Sequence, residues 1–464
     1  MLFDSKDTVK TDCCFTVPKK TNVLAHPCLN KSVIKEFWSG FNFGVSELEI
    51  VECEDFVFSI GNAEPLALDG NDYSINVTVD GICVYAESEG ELIRGFMTLV
   101  DRIRAVDAED GLETVIDCAT VRESALIKNR MVHFCIFPET ELWELERFIR
   151  YASALKYSHI IVEFWGMLKY DCMGELSWSH AYEKEQIRPM ISLANDLGLE
   201  IIPMFNHWGH AAASRVMYGK HVVLDQNPAL CTYFSDDGWC WDICKPKVRA
   251  LLRSIREELI ELCGDGEYFH IGCDEAFGFD LSKPEGMDTV CDFINEISRE
   301  LALVGRRAIA WGDMFINRHE DYNKNAYFCL APSRECEKYM HEHLDKNVII
   351  ADWQYDCTEA PVQTALTLKA AGFDTLLCPW DRSFAKVNSC VNTAKQNGLF
   401  GIIHTTWNTL DIGTPYVLVS GVGGYGDSTH YHYTLACNHA ATLLRKVYRT
   451  SGDYRRTGWH KKQI

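Results

Sequence analysis

The sequence lacks the apolar segments that would place a chain in a membrane. No uninterrupted apolar run has membrane-spanning length. The first twenty residues, MLFDSKDTVKTDCCFTVPKK, hold no apolar core of the length that a signal peptide needs. No internal repeat or low-complexity segment is visible either. We therefore expect a globular protein of the cytoplasm with no membrane partner.

Positive charge is also scarce in this chain. Its 464 residues include 45 Lys and Arg against 66 Asp and Glu, which gives a formal net charge of −21. A protein that binds the phosphate backbone normally presents a basic face. The charge balance therefore argues against a nucleic-acid partner and favours a neutral or small cationic substrate.

Cysteine is abundant, but its spacing is not that of a metal site. Of the twenty cysteines only Cys13 and Cys14 form a tight pair, and no C-x-x-C occurs with a second such pair. Structural zinc sites usually need that arrangement. Without an export signal the cysteines are best interpreted as reduced thiols of the cytoplasm, and we expect neither a metal nor a cofactor.

The chain divides into two regions of different pattern. Residues 1–120 contain short strand-like runs at FVFSI, YSINVTV and GICVYAES, followed by ELIRGFMTLVDRIRAV with apolar residues at helical spacing. These features predict a small α/β domain that ends near the acidic stretch DAEDGLET. Residues 121–464 alternate apolar strand candidates with amphipathic helices.

The second region has the strand count of a (β/α)8 TIM barrel. The eight strand candidates are RMVHFCIF, SHIIVEFWG, LEIIPMFN, YFHIGC, RAIAWGD, NVIIADWQ, FDTLLCP and LFGIIHTTW. Such a barrel needs about 250 residues plus insertions, and a doubly wound sheet seldom has eight units so evenly spaced. We predict an α/β fold in which a small α/β domain precedes a TIM barrel.

Polar and aromatic residues gather at the ends of these strands, where TIM barrels hold their active sites. They are Glu163 and Trp165, Asn206 to His210, Asp274 and Glu275, Trp311 and Asp313, Trp353 to Asp356, Trp380 and Asp381, and Trp407. A tryptophan at a strand end is not needed for barrel packing, and planar rings suit the apolar faces of sugars. The pattern indicates a carbohydrate pocket.

Asp274 and Glu275 are adjacent acids directly after the strand YFHIGC. An acid pair can begin a helix, because carboxylates are favoured in a first turn. It can also act in catalysis, with one acid protonated and the other ionised. The aromatic strand ends favour catalysis. His207 and His210 have i, i+3 spacing and are open to three interpretations: metal ligands, loop caps, or support for a catalytic acid.

These motifs resemble glycoside hydrolase family 20, the β-N-acetylhexosaminidases. The hallmark His-x-Gly-(Gly/Ala)-Asp-Glu is matched by His270 to Glu275, with Cys273 in the small-residue slot. The family's Asp-x-Pro-Gly-His is similar to residues 206–210, with Asn206 in place of Asp. VEFWG at Glu163 is similar to the version in the intracellular branch, and residues 73–103 are similar to the family's small N-terminal domain.

The resemblance implies an exo-acting, retaining hydrolase of terminal β-linked GlcNAc or GalNAc that uses substrate-assisted catalysis through an oxazolinium intermediate. It implies that Glu275 is the general acid and base, that Asp274 binds the acetamido group, and that His210 supports the acid. The remaining residues expected to bind an amino-sugar glycan or glycoconjugate are Arg130, Glu163, Asn206, Trp311, Asp313, Trp353, Tyr355, Trp380 and Trp407. A homodimer is compatible with this barrel, whose helix ends commonly form dimer contacts.

Two departures from the family pattern leave the exact sugar open, and two other functions remain as alternatives. The family's Trp-x-Glu reads Trp407-Asn408-Thr409, and Tyr355 is the substitute we expect for its seventh-strand tyrosine. A metal-dependent barrel hydrolase would use His207, His210, His270 and Asp274. A carbohydrate-binding barrel without catalysis would be consistent with Asn206 and Thr409.

Overall fold

The computed structural model describes residues 2, 8–109, 111–211, 227–236, 238–277, 280–318, 322, 327–407 and 410–448. Its first region is a mixed sheet with two helices. The strands of this sheet are β1 Thr8–Val17, β2 Lys20–Ala25, β3 Glu47–Glu52, β4 Val57–Gly61, β5 Tyr73–Thr78, β6 Gly81–Ala86, β7 Arg104–Ala108 and β8 Gly111–Glu123. The helices are α1 Lys31–Phe41 and α2 Glu89–Asp101.

The strand order of this sheet is β1-β8-β5-β6-β4-β2-β3, with β7 paired to β8. All pairs are antiparallel except β2 and β3, which run parallel and are joined through α1. Helix α2 packs on β5 and β6 through its buried apolar residues, among them Leu92, Phe96 and Leu99. The strand runs predicted at FVFSI, YSINVTV and GICVYAES correspond to β4, β5 and β6.

The predicted boundary between the two regions falls inside β8. In the stretch expected to end the first domain, Asp107 and Ala108 lie in β7, and residues 111–114 lie in β8, which pairs with β7 in antiparallel fashion. Strand β8 then continues to Glu123, past the predicted boundary at residue 120. At that point the Glu123 carboxylate receives a hydrogen bond from Lys156 Nζ at 2.6 Å, and both side chains are buried. This ion pair joins the first sheet to the barrel.

The second region is a closed barrel of eight parallel strands, which confirms the predicted fold. The strands are β9 Asn129–Cys135, β10 His159–Glu163, β11 Glu200–Met204, β12 Tyr268–His270, β13 Arg307–Trp311, β14 Ile349–Asp352, β15 Thr375–Leu377 and β16 Gly401–His404. Each corresponds to one of the eight predicted strand runs. The barrel closes where β16 pairs with β9.

Helices surround the barrel. They are α3 Leu142–Ala154, α4 Lys184–Asp196, α5 Pro246–Cys263, α6 Pro284–Leu303, α7 Arg334–His343, α8 Gln363–Ala370, α9 Phe384–Asn397, α10 Leu410–Gly423 and α11 Tyr433–Val447. Proline at the first position of α5 and α6 fits a helix start, where its missing N–H leaves no bond unmade. Helix α9 is followed by Gly398, which caps its C-terminus with a φ of +56° that suits glycine. Among the described residues, none of the helices combines the length and the apolar composition of a membrane span.

The barrel interior is filled by alternate residues of its strands, which include Met131, Ile161, Ile202, Tyr268 and Ile349. Residues of opposite parity pack outward against the helices, because successive side chains on a strand face opposite sides. The barrel is therefore a packed core, and ligands have access only at its ends.

Candidate active site

The acid pair lies in an unusual stretch of backbone that follows β12. Gly272, Cys273 and Glu275 have φ values of +65°, +78° and +47°. This left-handed conformation is rare for residues with a side chain and costs about 1–3 kcal/mol at each such position. The turn places the carboxylates of Asp274 and Glu275 in one compartment, although neighbours on a regular strand would face opposite sides.

One imidazole contacts both acids. His210 Nε2 lies 3.3 Å from Asp274 Oδ2 and 3.1 Å from Glu275 Oε2. Burial by itself would lower the pKa of His210, but the charge of Asp274 and the hydrogen bonds to both carboxylates outweigh burial and raise this pKa to about 10. At neutral pH the ring is therefore a cation between two acids. Of the three interpretations of His210, the structure supports its association with the acids.

The long segment between β11 and α5 contributes the contacts that hold this trio. Trp239 Nε1 donates to the Glu275 carbonyl at 2.7 Å, and its ring centroid lies 4.4 Å from that of His210. Gly209 faces the backbone of Asp274 so closely that an added Cβ would lie 1.8 Å from the Asp274 carbonyl oxygen. Glycine is thus needed at position 209 for the two loops to meet.

A further carboxyl, that of Asp313, lies beside the acid pair. Asp313 is buried and only 1% exposed. Its Oδ2 accepts a hydrogen bond from the Glu275 backbone N–H at 2.9 Å, and its Oδ1 accepts one from Trp353 Nε1 at 3.0 Å. Burial, and after it the charge of Asp274, raise the pKa of Asp313 well above its ordinary value. The prediction that Asp313 binds substrate directly has no support from these contacts, since both oxygens already have protein partners.

Four of the predicted aromatic residues form a continuous wall. The ring centroid of Tyr355 lies 5.0 Å from that of Trp353 and 5.1 Å from that of Trp380. The Tyr355 hydroxyl accepts a hydrogen bond from Trp407 Nε1 at 2.6 Å. Trp353 continues the wall towards Asp313. All four side chains are partly exposed, so they can contact a ligand.

Trp311, by contrast, is fully buried among the side chains of the barrel interior. Its ring centroid lies 5.7 Å from that of Trp407 and 4.2 Å from that of His270. It supports the wall from behind, and we assign it a packing role in place of the predicted contact with substrate.

Glu163 and Asn206 are brought together by the ends of β10 and β11. Asn206 Nδ2 donates to Glu163 Oε1 at 2.7 Å. The other carboxylate oxygen, Oε2, lies 3.1 Å from His133 Nε2 and 3.8 Å from Cys135 Sγ. The sequence analysis did not predict that His133 and Cys135 lie beside Glu163. The available signal was the polar residue His133 on the otherwise apolar strand β9, with Cys135 two positions later.

One group of potential metal ligands is found among the described residues. Its members, whose ligand atoms lie close to one another, are His133, Cys135 and Glu163. A metal on His133 Nε2 would require the proton on Nδ1, and no described partner hydrogen-bonds to that buried atom. Metal-bound histidines almost always donate this second N–H. The three groups fit an internal hydrogen-bonded cluster better than a metal site.

The histidines of the metal-hydrolase alternative do not converge. His207 is buried with Nδ1 2.6 Å from the Phe205 carbonyl oxygen and packs on Phe269. His270 faces the barrel interior beside Trp311. Burial lowers the pKa of both rings well below the ordinary value. Only His210 of that set contacts Asp274.

The structure places Arg130 away from the site, contrary to the prediction that it binds sugar hydroxyls. Arg130 is near the start of β9, whereas the acids follow the carboxyl end of β12. Its guanidinium donates to the carbonyls of Ile127, Lys128 and Lys156 at 2.6, 2.8 and 2.9 Å and lies 4.7 Å from the centre of the Tyr425 ring. Arg130 therefore stabilises the opposite end of the barrel.

Asn408 and Thr409, which carried one departure from the family pattern, lie outside the described residues. Trp239 is a site residue that sequence reasoning missed. It lies in an irregular segment, DDGWCWD, with no periodic pattern from which a contact with residue 275 could be inferred.

A TIM barrel with acids, an imidazolium and an aromatic wall at the carboxyl ends of its strands has the arrangement of a carbohydrate-active enzyme. Comparison with known proteins assigns the family. The model of the glycosyl hydrolase family 20 catalytic domain matches residues 165–408, which is more than half of the chain. This protein belongs to glycosyl hydrolase family 20 and is a glycoside hydrolase.

Solved structures of the same overall fold include three enzymes that act on N-acetylhexosaminides, the first of them named as a family 20 enzyme. The chain is similar to an exo β-N-acetylglucosaminidase of Vibrio harveyi, with a TM-score of 0.68 and 15% identity over 96% of this chain and 77% of that one. It is also similar to a β-N-acetylhexosaminidase of Bacteroides fragilis, with a TM-score of 0.66 and 15% identity over 96% and 94% of the two chains. A third is the N-acetyl-β-hexosaminidase of Streptomyces plicatus, with a TM-score of 0.67 and 13% identity over 97% and 96%. No curated protein matches the sequence.

Proposed function

We propose that this protein is an exo-acting, retaining β-N-acetylhexosaminidase that removes terminal β-linked GlcNAc or GalNAc from a glycan or glycoconjugate. One observation carries the proposal: the consecutive acids Asp274 and Glu275 both contact the imidazole ring of His210. Consecutive acids that share one compartment can serve neighbouring atoms of a single sugar.

In the proposed first step, Glu275 donates its proton to the glycosidic oxygen as the bond to the anomeric carbon breaks. The acetamido oxygen of the substrate attacks that carbon and closes an oxazolinium ring, while Asp274 accepts a hydrogen bond from the acetamido N–H. Family members with this chemistry need no enzyme nucleophile, which agrees with two adjacent acids on one side of the sugar.

In the second step, Glu275 takes a proton from water as the water oxygen attacks the anomeric carbon and opens the ring. Two displacements at that carbon retain its configuration. Acid and base catalysis of this kind contributes about 10²–10⁴-fold to the rate. His210 stays charged throughout and offsets the negative charge of Asp274, and also that of Glu275 once Glu275 has given up its proton.

The aromatic wall of Trp353, Tyr355, Trp380 and Trp407 supplies flat faces for the sugar. It also excludes water from the intermediate, which must survive until the hydrolytic water attacks. The bond from Trp407 to Tyr355 fixes two of these rings relative to each other, so the wall is organised before the substrate binds.

The test is release of p-nitrophenol from its β-N-acetylglucosaminide and β-N-acetylgalactosaminide. We expect activity from the wild type and a loss of about 10³-fold in Glu275→Gln, within the usual range for a lost general acid. Glu261→Gln, an exposed acid on α5, is the matched control and should keep full activity. A wild type inactive on both substrates, or an unaffected Glu275→Gln, would contradict the proposal.

We further propose that the enzyme acts in the cytoplasm without a cofactor. None of the twenty cysteines, all of which are among the described residues, forms a disulfide, which is consistent with a reducing compartment. The cluster of His133, Cys135 and Glu163 is internally hydrogen-bonded and supports a site that works without a metal.

A further inference from the structure

Asp313 lies where two parts of the active site meet. It follows β13, and its carboxyl group bridges the backbone of Glu275 on one side and the indole of Trp353 on the other. Glu275 is the proposed proton donor, and Trp353 belongs to the aromatic wall. One buried carboxyl thus touches both the catalytic turn and the binding surface.

We propose that Asp313 is a positioning residue that sets the direction of the Glu275 side chain and the plane of the Trp353 ring together. This inference rests on the proposed function, because Glu275 is taken as the acid. Glu275 has a left-handed backbone with φ of +47°, which its own side chain does not favour. The hydrogen bond from its N–H to Asp313 Oδ2 holds that conformation.

A carboxyl group is required at position 313 because two N–H groups point at it. Each carboxyl oxygen keeps a lone pair whether the group is ionised or protonated, so both donors are accepted. An asparagine has one acceptor oxygen and one NH2 group, which carries no free lone pair. Asp313→Asn would therefore set an N–H against an N–H, either at Glu275 or at Trp353.

Because one of the two donors belongs to the Trp353 side chain, the need for a carboxyl group at position 313 can be tested by combining two substitutions. Trp353→Phe keeps an aromatic ring in the wall and removes one of the two donors. In that background the amide of Asp313→Asn can turn its oxygen to the Glu275 N–H and its nitrogen to the vacated side. The double variant should consequently tolerate the change that the single variant does not.

We therefore expect the following values of kcat/KM on the β-N-acetylglucosaminide. Asp313→Asn loses about 30- to 100-fold, mainly in kcat, because the acid is misdirected. Trp353→Phe loses about threefold, mainly through KM. The double variant stays within about threefold of Trp353→Phe, whereas independent effects would multiply to about 100-fold or more.

Asp352→Asn is the matched control. Asp352 is a buried carboxyl at the end of the next strand, β14, and it also accepts two hydrogen bonds, from Gln354 Nε2 at 2.8 Å and Thr364 Oγ1 at 2.6 Å. Both hydrogen bonds go to residues outside the acid pair and the wall, although Trp353 follows Asp352 directly in the chain. Its substitution should lower the melting temperature and leave kcat/KM of the folded enzyme unchanged.

Multiplicative losses in the double variant, or an Asp313→Asn enzyme within threefold of wild type, would overturn the inference while leaving the proposed function intact. A wild type inactive on every hexosaminide would overturn both. If Asp313→Asn does not fold, the double variant should, since its donor conflict is removed. Failure of both to fold would contradict the role of the two N–H groups.

Discussion

The charge of His210 allows a quantitative prediction, with His210→Asn as the perturbation. His210 has φ of +54°, and Asn enters this region more readily than most residues, so the substitution adds little backbone strain. It removes the cation that lies 3.3 and 3.1 Å from the two acids.

The magnitude follows from the pKa. A rise from 6.5 to about 10 corresponds to about 5 kcal/mol at 1.36 kcal/mol per unit. The imidazole side chain is 24% exposed, so water screens part of the attraction and also solvates the acids in the variant. We expect His210→Asn to lower the free energy of unfolding by about 2–4 kcal/mol at pH 6, slightly less than the about 3–5 kcal/mol lost when a fully buried ion pair is broken.

The pH dependence has a definite sign. Because the folded-state pKa is raised, the stabilisation is fully present below pH 6.5 and is lost as the pH rises towards 10. The stability difference between wild type and His210→Asn should therefore shrink between these values. Activity of the wild type should decline over the same alkaline range, since the acids lose their counter-charge.

The direct assay is NMR titration of histidine ring signals, with His210 assigned by its absence from His210→Asn. Its resonance should not titrate below pH 9. His207, whose pKa burial lowers well below the ordinary value, should stay neutral throughout and serves as the internal reference. A His210 that titrates at or below pH 6.5 would refute the electrostatic account of the trio.

Two further substitutions test the geometry. Gly209→Ala should lower kcat/KM by about 10²-fold or more, because its Cβ would lie 1.8 Å from the Asp274 carbonyl oxygen. The control is Gly174→Ala, since the space around its new Cβ is open. Equal activity of the two variants would contradict the close approach of Gly209 to Asp274. Arg130→Met should lower the free energy of unfolding by about 3 kcal/mol through three carbonyls left without their donor, with KM unchanged. A tenfold increase in KM would instead indicate that Arg130 binds the substrate.

The sequence alone was sufficient for the barrel, because each strand carries its own signal. Runs such as SHIIVEFWG and RAIAWGD are apolar for the length of one strand and end in polar or aromatic residues. Parallel strands must align their carboxyl ends, so the residues after them meet at one face of the barrel. The association of Asp274, Glu275 and the aromatic wall followed from that rule.

The tertiary structure decided the contacts that depend on irregular loops and on which end of a strand a residue occupies. Arg130 was predicted to bind the ligand, but from the start of β9 it donates to backbone carbonyls at the far end of the barrel. Trp239 and Asp313 reach Glu275 from segments 36 and 38 residues away, through turns whose φ values no periodic pattern encodes. Local sequence fixes which residues are buried on a strand, whereas loop packing fixes which atoms share a hydrogen bond.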